Sequence, residues 1–153
     1  MEIVLYKSIM MLSFRFIEYG SAAYHDMVSL RDIVLRKPLG LTYTEEYLQK
    51  EINDQLLGCY TDELLSGCCI LTPFDNTTIQ LRQMAVDNAF QGQGIGRQLI
   101  LFAEQQAKNN GFTHLMMHAR KEAKGFYEKL GYSAKGAEFE EVGIPHYEMS
   151  KKL

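Results

Sequence analysis

From Ser13 to Glu18 the chain comes close to alternation, with Phe14 and Phe16 separated by Arg15. A strand is expected there, because successive strand side chains point to opposite faces. Gly20 and Ser21 then offer a turn and a helix N-cap. Met27, Leu30, Ile33 and Val34 follow on one face at helical spacing until Pro38 ends the run. Thr44 to Ile52 reads as a short second helix, capped by Thr44, with Glu45 and Glu46 in the first turn where the dipole favours acids. Leu56 to Tyr60 and Leu64 to Leu71 are apolar runs separated by Thr61, Asp62 and Glu63, the pattern of a hairpin. Pro73, Asp75 and Asn76 form a turn before a further strand, Thr77 to Val86. Gly94 to Asn110 predicts a helix with Ile95, Leu99, Phe102 and Ala107 as its apolar stripe and Gly111 as its stop. Phe112 to Ala119 reads as a fully buried strand, and Lys121 to Leu130 as a helix with Ala123, Phe126, Tyr127 and Leu130 on one side. Two extended runs around a Gly143-Ile144-Pro145 turn complete the chain.

The expected order is β-α-α-β-β-β-α-β-α-β-β, an α/β (α+β mixed) fold with a central mixed sheet of about six to seven strands flanked by helices. There is no internal repeat, low-complexity tract or Pro/Gly/Ser linker, so residues 1–153 are expected to form a single domain. Residues 1–11 are the exception, expected as a loosely packed N-terminal extension, since Met10 and Met11 offer alternative natural starts.

Composition narrows the function classes. Apolar residues make up 46% and charged residues 23% of the 153 positions, as in ordinary globular domains. A net charge of −3 gives no general attraction to nucleic acid or to anionic lipid. No apolar run approaches the ~20 residues that span a bilayer. Cys59, Cys68 and Cys69 are odd in number and lack metal-ligand spacing. They are expected to be small buried hydrophobes in a reducing cytoplasm, with no metal site.

The segment richest in chemistry is Gln91-Gly92-Gln93-Gly94-Ile95-Gly96-Arg97, between a strand and a helix. Glycines before a helix N-terminus leave backbone N–H groups open to an anion, and the helix dipole adds to the attraction. A Walker A loop needs Lys-Ser/Thr after the last glycine, and Arg97-Gln98 stand there. A dinucleotide fingerprint counted from Gly94 meets Leu99 at its third glycine position. A plain glycine-rich turn remains the simplest alternative.

Gln91, Gly94 and Gly96 also match the Gln/Arg-x-x-G-x-Gly/Ala pyrophosphate loop of the GNAT acetyltransferases, and two further blocks agree in order. The preceding strand Leu81 to Asp87 resembles that superfamily's fourth strand, and Ala123-x-x-Phe126-Tyr127-Glu128-Lys129-Leu130-Gly131-Tyr132 resembles its A-x-x-F-Y-x-x-x-G-F signature. The likeness runs from about Leu56 to the C-terminus. Through Ala119-Arg120, the Phe-Tyr-Glu-Lys-Leu-Gly-Tyr run and Glu138 to His146, it is similar to the ElaA-type branch.

This resemblance implies an acetyl-CoA-dependent N-acetyltransferase that passes acetyl directly to an amine of a small molecule or peptide. It implies acetyl-CoA as cosubstrate, with Gln91, Gly92, Gln93, Gly94, Ile95, Gly96 and Arg97 around the pyrophosphate and Met84, Ala85 and Val86 against the pantetheine arm. A main-chain N–H near Val86 would stabilise the oxyanion, an effect often worth ~3–4 kcal/mol. Phe126 and Arg120 join the coenzyme set; many relatives carry asparagine where Arg120 stands, and a surface ion pair is the alternative role for this arginine. Tyr127 falls where the superfamily carries its general acid. A phenol of pKa about 10 stays protonated at neutral pH and can protonate a thiolate; ring packing is the alternative. Relatives with a glutamate base would place it near Gln80, so His118 becomes the candidate base, with His114 behind it and His25 on the surface. Glu140 and His146 are the substrate-side candidates, on a hairpin whose Glu138, Glu140 and Glu141 would attract a cationic amine. Glu138 and Glu140 should share a face, with Glu141 on the other. A homodimer is a compatible assembly. The rival readings are a CoA-binding sensor or interaction module of the same fold and a structural protein with no nucleotide site.

Overall fold

The computed structural model describes residues 11–153, so most of the expected N-terminal extension lies outside the described residues. Seven strands form one sheet: β1 (Leu12–Ile17), β2 (Gln55–Thr61), β3 (Leu64–Pro73), β4 (Thr78–Val86), β5 (His114–Arg120), β6 (Ser133–Glu141) and β7 (Ile144–Lys152). Their order is β1-β2-β3-β4-β5-β7-β6. Every pairing is antiparallel except β4 with β5, so the last hairpin enters the sheet with β7 against β5 and leaves β6 at the edge. This is the mixed fold the pattern predicts.

Helices cover both faces. On one side α3 (Ile95–Asn109) buries Ile95, Leu99, Ile100, Ala103 and Ala107 against Leu57, Cys59, Cys69, Leu71, Leu81, Leu115 and Met117. On the other, α1 (Ala22–Arg31) buries Tyr24, Met27 and Leu30 against Leu56, Cys68, Ile70 and Ala85. Successive residues of β2 and β3 therefore serve different layers, which is why these strands read as unbroken apolar runs. Each large side chain so buried contributes ~1.5–3 kcal/mol. Adjacent Cys68 and Cys69 belong to opposite layers and are free thiols, as is buried Cys59. Burial pushes the Cys68 thiol up to about 12. A thiol reagent is accordingly expected to label the native protein slowly and the denatured protein quickly. Fast native labelling would place a thiol at the surface and overturn this packing.

The helices on the α1 side depart from the expected pattern. Ser21 caps α1 by accepting from the Tyr24 amide, as the sequence suggests, but the α-helix ends at Arg31. A π-helical turn, Asp32–Arg36, and a 3₁₀ turn, Lys37–Leu39, carry the chain to Gly40. The wider turn rotates the stripe, so Ile33 is exposed although Met27 and Leu30 are buried. α2 (Glu45–Gln49), capped by Thr44, is shorter than expected and buries Leu48, leaving Ile52 exposed. Lys121–Ala123 is a 3₁₀ turn and α4 is only Lys124–Lys129, with Tyr127 buried and Phe126 on the surface side. The final turn is Val142-Gly143, one residue earlier than expected. Both residues have positive φ (48° and 78°), so Pro145 lies inside β7. A two-residue hairpin of this hand matches the twist of its strands.

Candidate active site

β4 and β5 pair from Thr78↔His114 to Leu81↔Met117, and there the pairing ends. Beyond it the strands part, and the cleft between them is lined by Gln83, Met84, His118, Ala119 and Arg120, with Tyr127 from α4 and Glu141 and His146 from the last hairpin. Two residues, Gln83 and Met84, sit between the Cys68↔Ala85 and Ile70↔Arg82 pairs, a β-bulge on β4. Gln83 takes up the distortion with a positive φ (53°). Its side chain holds the distortion: the Tyr43 hydroxyl donates to Gln83 Oε1, and Gln83 Nε2 donates to the Tyr47 hydroxyl at 2.8 Å. The bulge is thus tied to the segment around α2 that overhangs the cleft. Nothing in local sequence spacing signals Gln83, Tyr43 or Tyr47, because the three meet only in three dimensions.

The glycine-rich turn lies at the start of α3. Gly92 and Gly94 have φ of 76° and 79°, and Gly94 is the helix N-cap with no side chain capping the turn. Backbone bonding in the helix begins with Gln98 N–H donating to Gly94 O at 3.1 Å. The amides of Ile95, Gly96 and Arg97 are therefore the orphan donors of this helix end. A Cβ built on Gly96 would meet Phe126 at 3.3 Å, Met84 at 3.7 Å and Val86 at 3.8 Å. Gly96 is where turn, β4 and α4 converge, whereas Gly94 has open space around it and is required for its φ alone. Gln91 donates to Asn88 Oδ1 at 3.0 Å and steadies the turn; Gln93 and Arg97 are exposed. Ala85, expected on the coenzyme side, instead faces the α1 layer and is buried there. Its side chain packs in the core, which leaves only its backbone for the cleft.

Tyr127 is buried, its ring edge-on to Phe126 and Tyr132 at 5.1 and 5.9 Å. Burial, with Cys69 adding to it, holds its phenol well above the ordinary tyrosine range, so it stays protonated at neutral pH. Its hydroxyl makes no hydrogen bond among the described residues (Tyr132, by contrast, donates to Glu104 at 2.7 Å). Ring packing and a free hydroxyl on the cleft are thus both present.

The hairpin contributes a second constellation. His118 Nδ1 lies 2.9 Å from Glu141 Oε1, and Glu141 Oε2 lies 3.7 Å from His146 Nε2. His146 Nδ1 donates to the Ile144 carbonyl at 2.8 Å; a carbonyl can only accept, so this nitrogen carries the proton and Nε2 turns towards Glu141. His146 is only 4% exposed and sits within β7, as does the Ile144-Pro145 pair expected in the turn before it. Glu140 must also be corrected. Alternation does separate Glu141 from Glu138 and Glu140, but the face turned to the cleft is that of Glu141. Glu140 is exposed away from it, and Glu138 pairs with Lys121 at 2.7 Å on the surface. Arg120 makes no ion pair among the described residues; its guanidinium donates to the Leu35 carbonyl at 3.1 Å and links β5 to the π-turn. His114, exposed at the far end of β5 against Thr113, is outside the cleft, and His25 is exposed as expected. Among the described residues no three His, Cys, Asp or Glu side chains are placed so that they could hold a metal ion together.

The Acetyltransferase (GNAT) domain matches residues 39–153, about three quarters of the chain. The chain belongs to the GNAT acetyltransferase family. The uncharacterized protein YyaT of Bacillus subtilis (strain 168) is 34% identical over 76 residues, 50% of this chain and 51% of that protein, so the chain spans about half the length of this relative. The crystal structure of a Lactobacillus plantarum protein assigned to the N-acetyltransferases superposes with a TM-score of 0.83 at 26% identity, covering 93% of this chain and 98% of that one. Escherichia coli ElaA matches with a TM-score of 0.78 at 16% identity over 93% of this chain and 100% of its own, a likeness of fold. Other solved GNAT structures of the same fold hold acetyl-CoA or coenzyme A. The parted β4 and β5 strands, the glycine turn and Tyr127 all lie within the GNAT-matched segment.

Proposed function

We propose that the chain transfers the acetyl group of acetyl-CoA to an amine of a small molecule or peptide, both substrates being bound together. The observation that carries this is the parting of β4 and β5 beside the uncapped N-terminus of α3. The residues fit the coenzyme: three orphan amides and a helix dipole suit a pyrophosphate, and the opened strand edge suits a ligand that pairs with backbone. Bound acetyl-CoA would supply the activated acetyl group. Ile95, Gly96, Arg97 and the Gln91 turn bind the phosphates; Met84 and Val86 line the arm, and Arg120 and Phe126 border the coenzyme's path. A main-chain N–H near Val86 stabilises charge on the acetyl oxygen. Tyr127 holds a proton for the departing sulfur, since its burial keeps the phenol protonated. His118, bonded to Glu141, takes the proton of the attacking amine, and His146 borders the same carboxylate.

A base constellation in the cleft supports turnover over a silent CoA-binding module. No described helix is long and apolar enough to cross a membrane. The reading places the enzyme in the cytoplasm, with a homodimer as a compatible assembly. Acetyl-CoA at millimolar concentration is expected to raise the melting temperature through binding linkage. Gly94→Val should erase that shift, because a β-branched residue resists the positive φ that aims the amides. An unchanged melt of the parent protein with acetyl-CoA would sink the assignment.

A further inference from the structure

The acceptor end of the cleft is richer in cations than in acids. Arg36 and Arg82 line it together with Tyr47, Gln80, Gln83, His118 and Glu141. Glu141 is the only carboxylate among these residues, and it is already engaged by His118. Arg82 is 3.8 Å from Asp54 and donates to the Tyr47 hydroxyl at 3.0 Å. Arg36 has no acidic partner among the described residues. Its guanidinium instead lies over the rings of Tyr43 and Tyr47, 4.7 and 5.4 Å from their centroids. A planar guanidinium stacked on aromatic rings keeps its N–H fork free and loses little further entropy on binding an anion. The same Tyr43 ring carries Arg31 at 4.6 Å, and Tyr43 and Tyr47 are fixed in turn by Gln83. The arginine is thus held on an ordered support at the mouth of the site.

We infer that the acceptor is an amine that also bears a carboxylate, as a free amino acid does, with Arg36 and Arg82 receiving the carboxylate and Glu141 with His118 receiving the amine. This deepens the proposed acetyl transfer and rests on it. It replaces attraction of a purely cationic amine by the acidic hairpin, since Glu138 and Glu140 face away from the cleft. A fork-to-carboxylate pair gives geometric selection as well as charge.

The test is a set of matched amines, each offered as the free carboxylate, the carboxamide and the decarboxylated amine, with acetyl-CoA and thiol release as readout. The carboxylates are expected to show kcat/KM at least about tenfold higher. Arg36→Met should bring them down to the carboxamide level while the acetyl-CoA melting shift persists, and Arg36→Lys should keep part of the preference. Equal or faster turnover of carboxamides and decarboxylated amines would overturn the inference and leave the acetyltransferase standing. So would a uniform loss across all three forms in Arg36→Met. If acetyl-CoA neither shifts the melt nor releases thiol with any amine, the acetyl-transfer reading fails, and the inference with it.

Discussion

Tyr127→Phe is expected to lower turnover by about 10²-fold, the loss typical of a removed general acid, with little change in acetyl-CoA affinity. The variant is a clean probe for a structural reason. The Tyr127 ring packs among Phe126, Tyr132 and the α3-side core, and Phe preserves those contacts. Its hydroxyl bonds to no other group among the described residues, so removing it leaves no partner stranded, in contrast to Tyr132, whose loss would strip Glu104 of a 2.7 Å bond. Fold stability should therefore change little while chemistry suffers. The measurement is steady-state kinetics under conditions where chemistry limits the rate, with a thermal melt as control. Unchanged kcat would return Tyr127 to a packing role and leave the leaving thiolate to be protonated by water.

Much of this architecture was legible because its signals are local. Unbroken apolar runs in β2 and β3, the capping residues Ser21 and Thr44, and the glycine turn before α3 each act within a few residues of themselves. Tyr127 was legible in the same way, through the Phe-Tyr-Glu-Lys-Leu-Gly-Tyr run around it. Errors arose where geometry is set across the fold. Helical spacing placed Ile33 with Met27 and Leu30, but the π-turn after Arg31 rotates it outward. Alternation sorted Glu138 and Glu140 from Glu141 correctly, yet it carries no information about which face of an edge strand turns towards a cleft. Arg36, Tyr47, Gln83 and Glu141 come from four separate segments, and no spacing connects them before the sheet and its overhanging turns are assembled.

The largest stability effect is expected at a pair that sequence spacing does not reveal. Arg31 and Glu51 are 0% and 1% exposed and form a two-pronged ion pair, Nη1 to Oε1 at 2.8 Å and Nη2 to Oε2 at 2.7 Å. The Tyr24 hydroxyl donates to the same Oε1 at 2.8 Å, so both carboxylate oxygens are satisfied. Burying two charges is costly, and the net worth of such a pair relative to apolar residues is small; removing one partner is different, because the other charge stays buried and uncompensated. Glu51→Ala or Arg31→Met alone should cost about 3–5 kcal/mol, a large share of the ~5–15 kcal/mol that holds a domain folded. The double variant should cost clearly less than the two single losses combined, since the residues share one interaction. Urea denaturation at constant m-value checks both statements. The pair also joins the end of α1 to the residues after α2, and between them in the chain lie Arg36 and Tyr47 of the acceptor end and Tyr43, whose ring supports Arg36. Under conditions where the variants remain folded, loosening this tie should raise the acceptor KM more than it alters acetyl-CoA binding at the other end of the cleft. Single variants within about 1 kcal/mol of the parent would mean that water or neighbouring groups stabilise either charge alone, and that the segment over the acceptor end is not held by this pair.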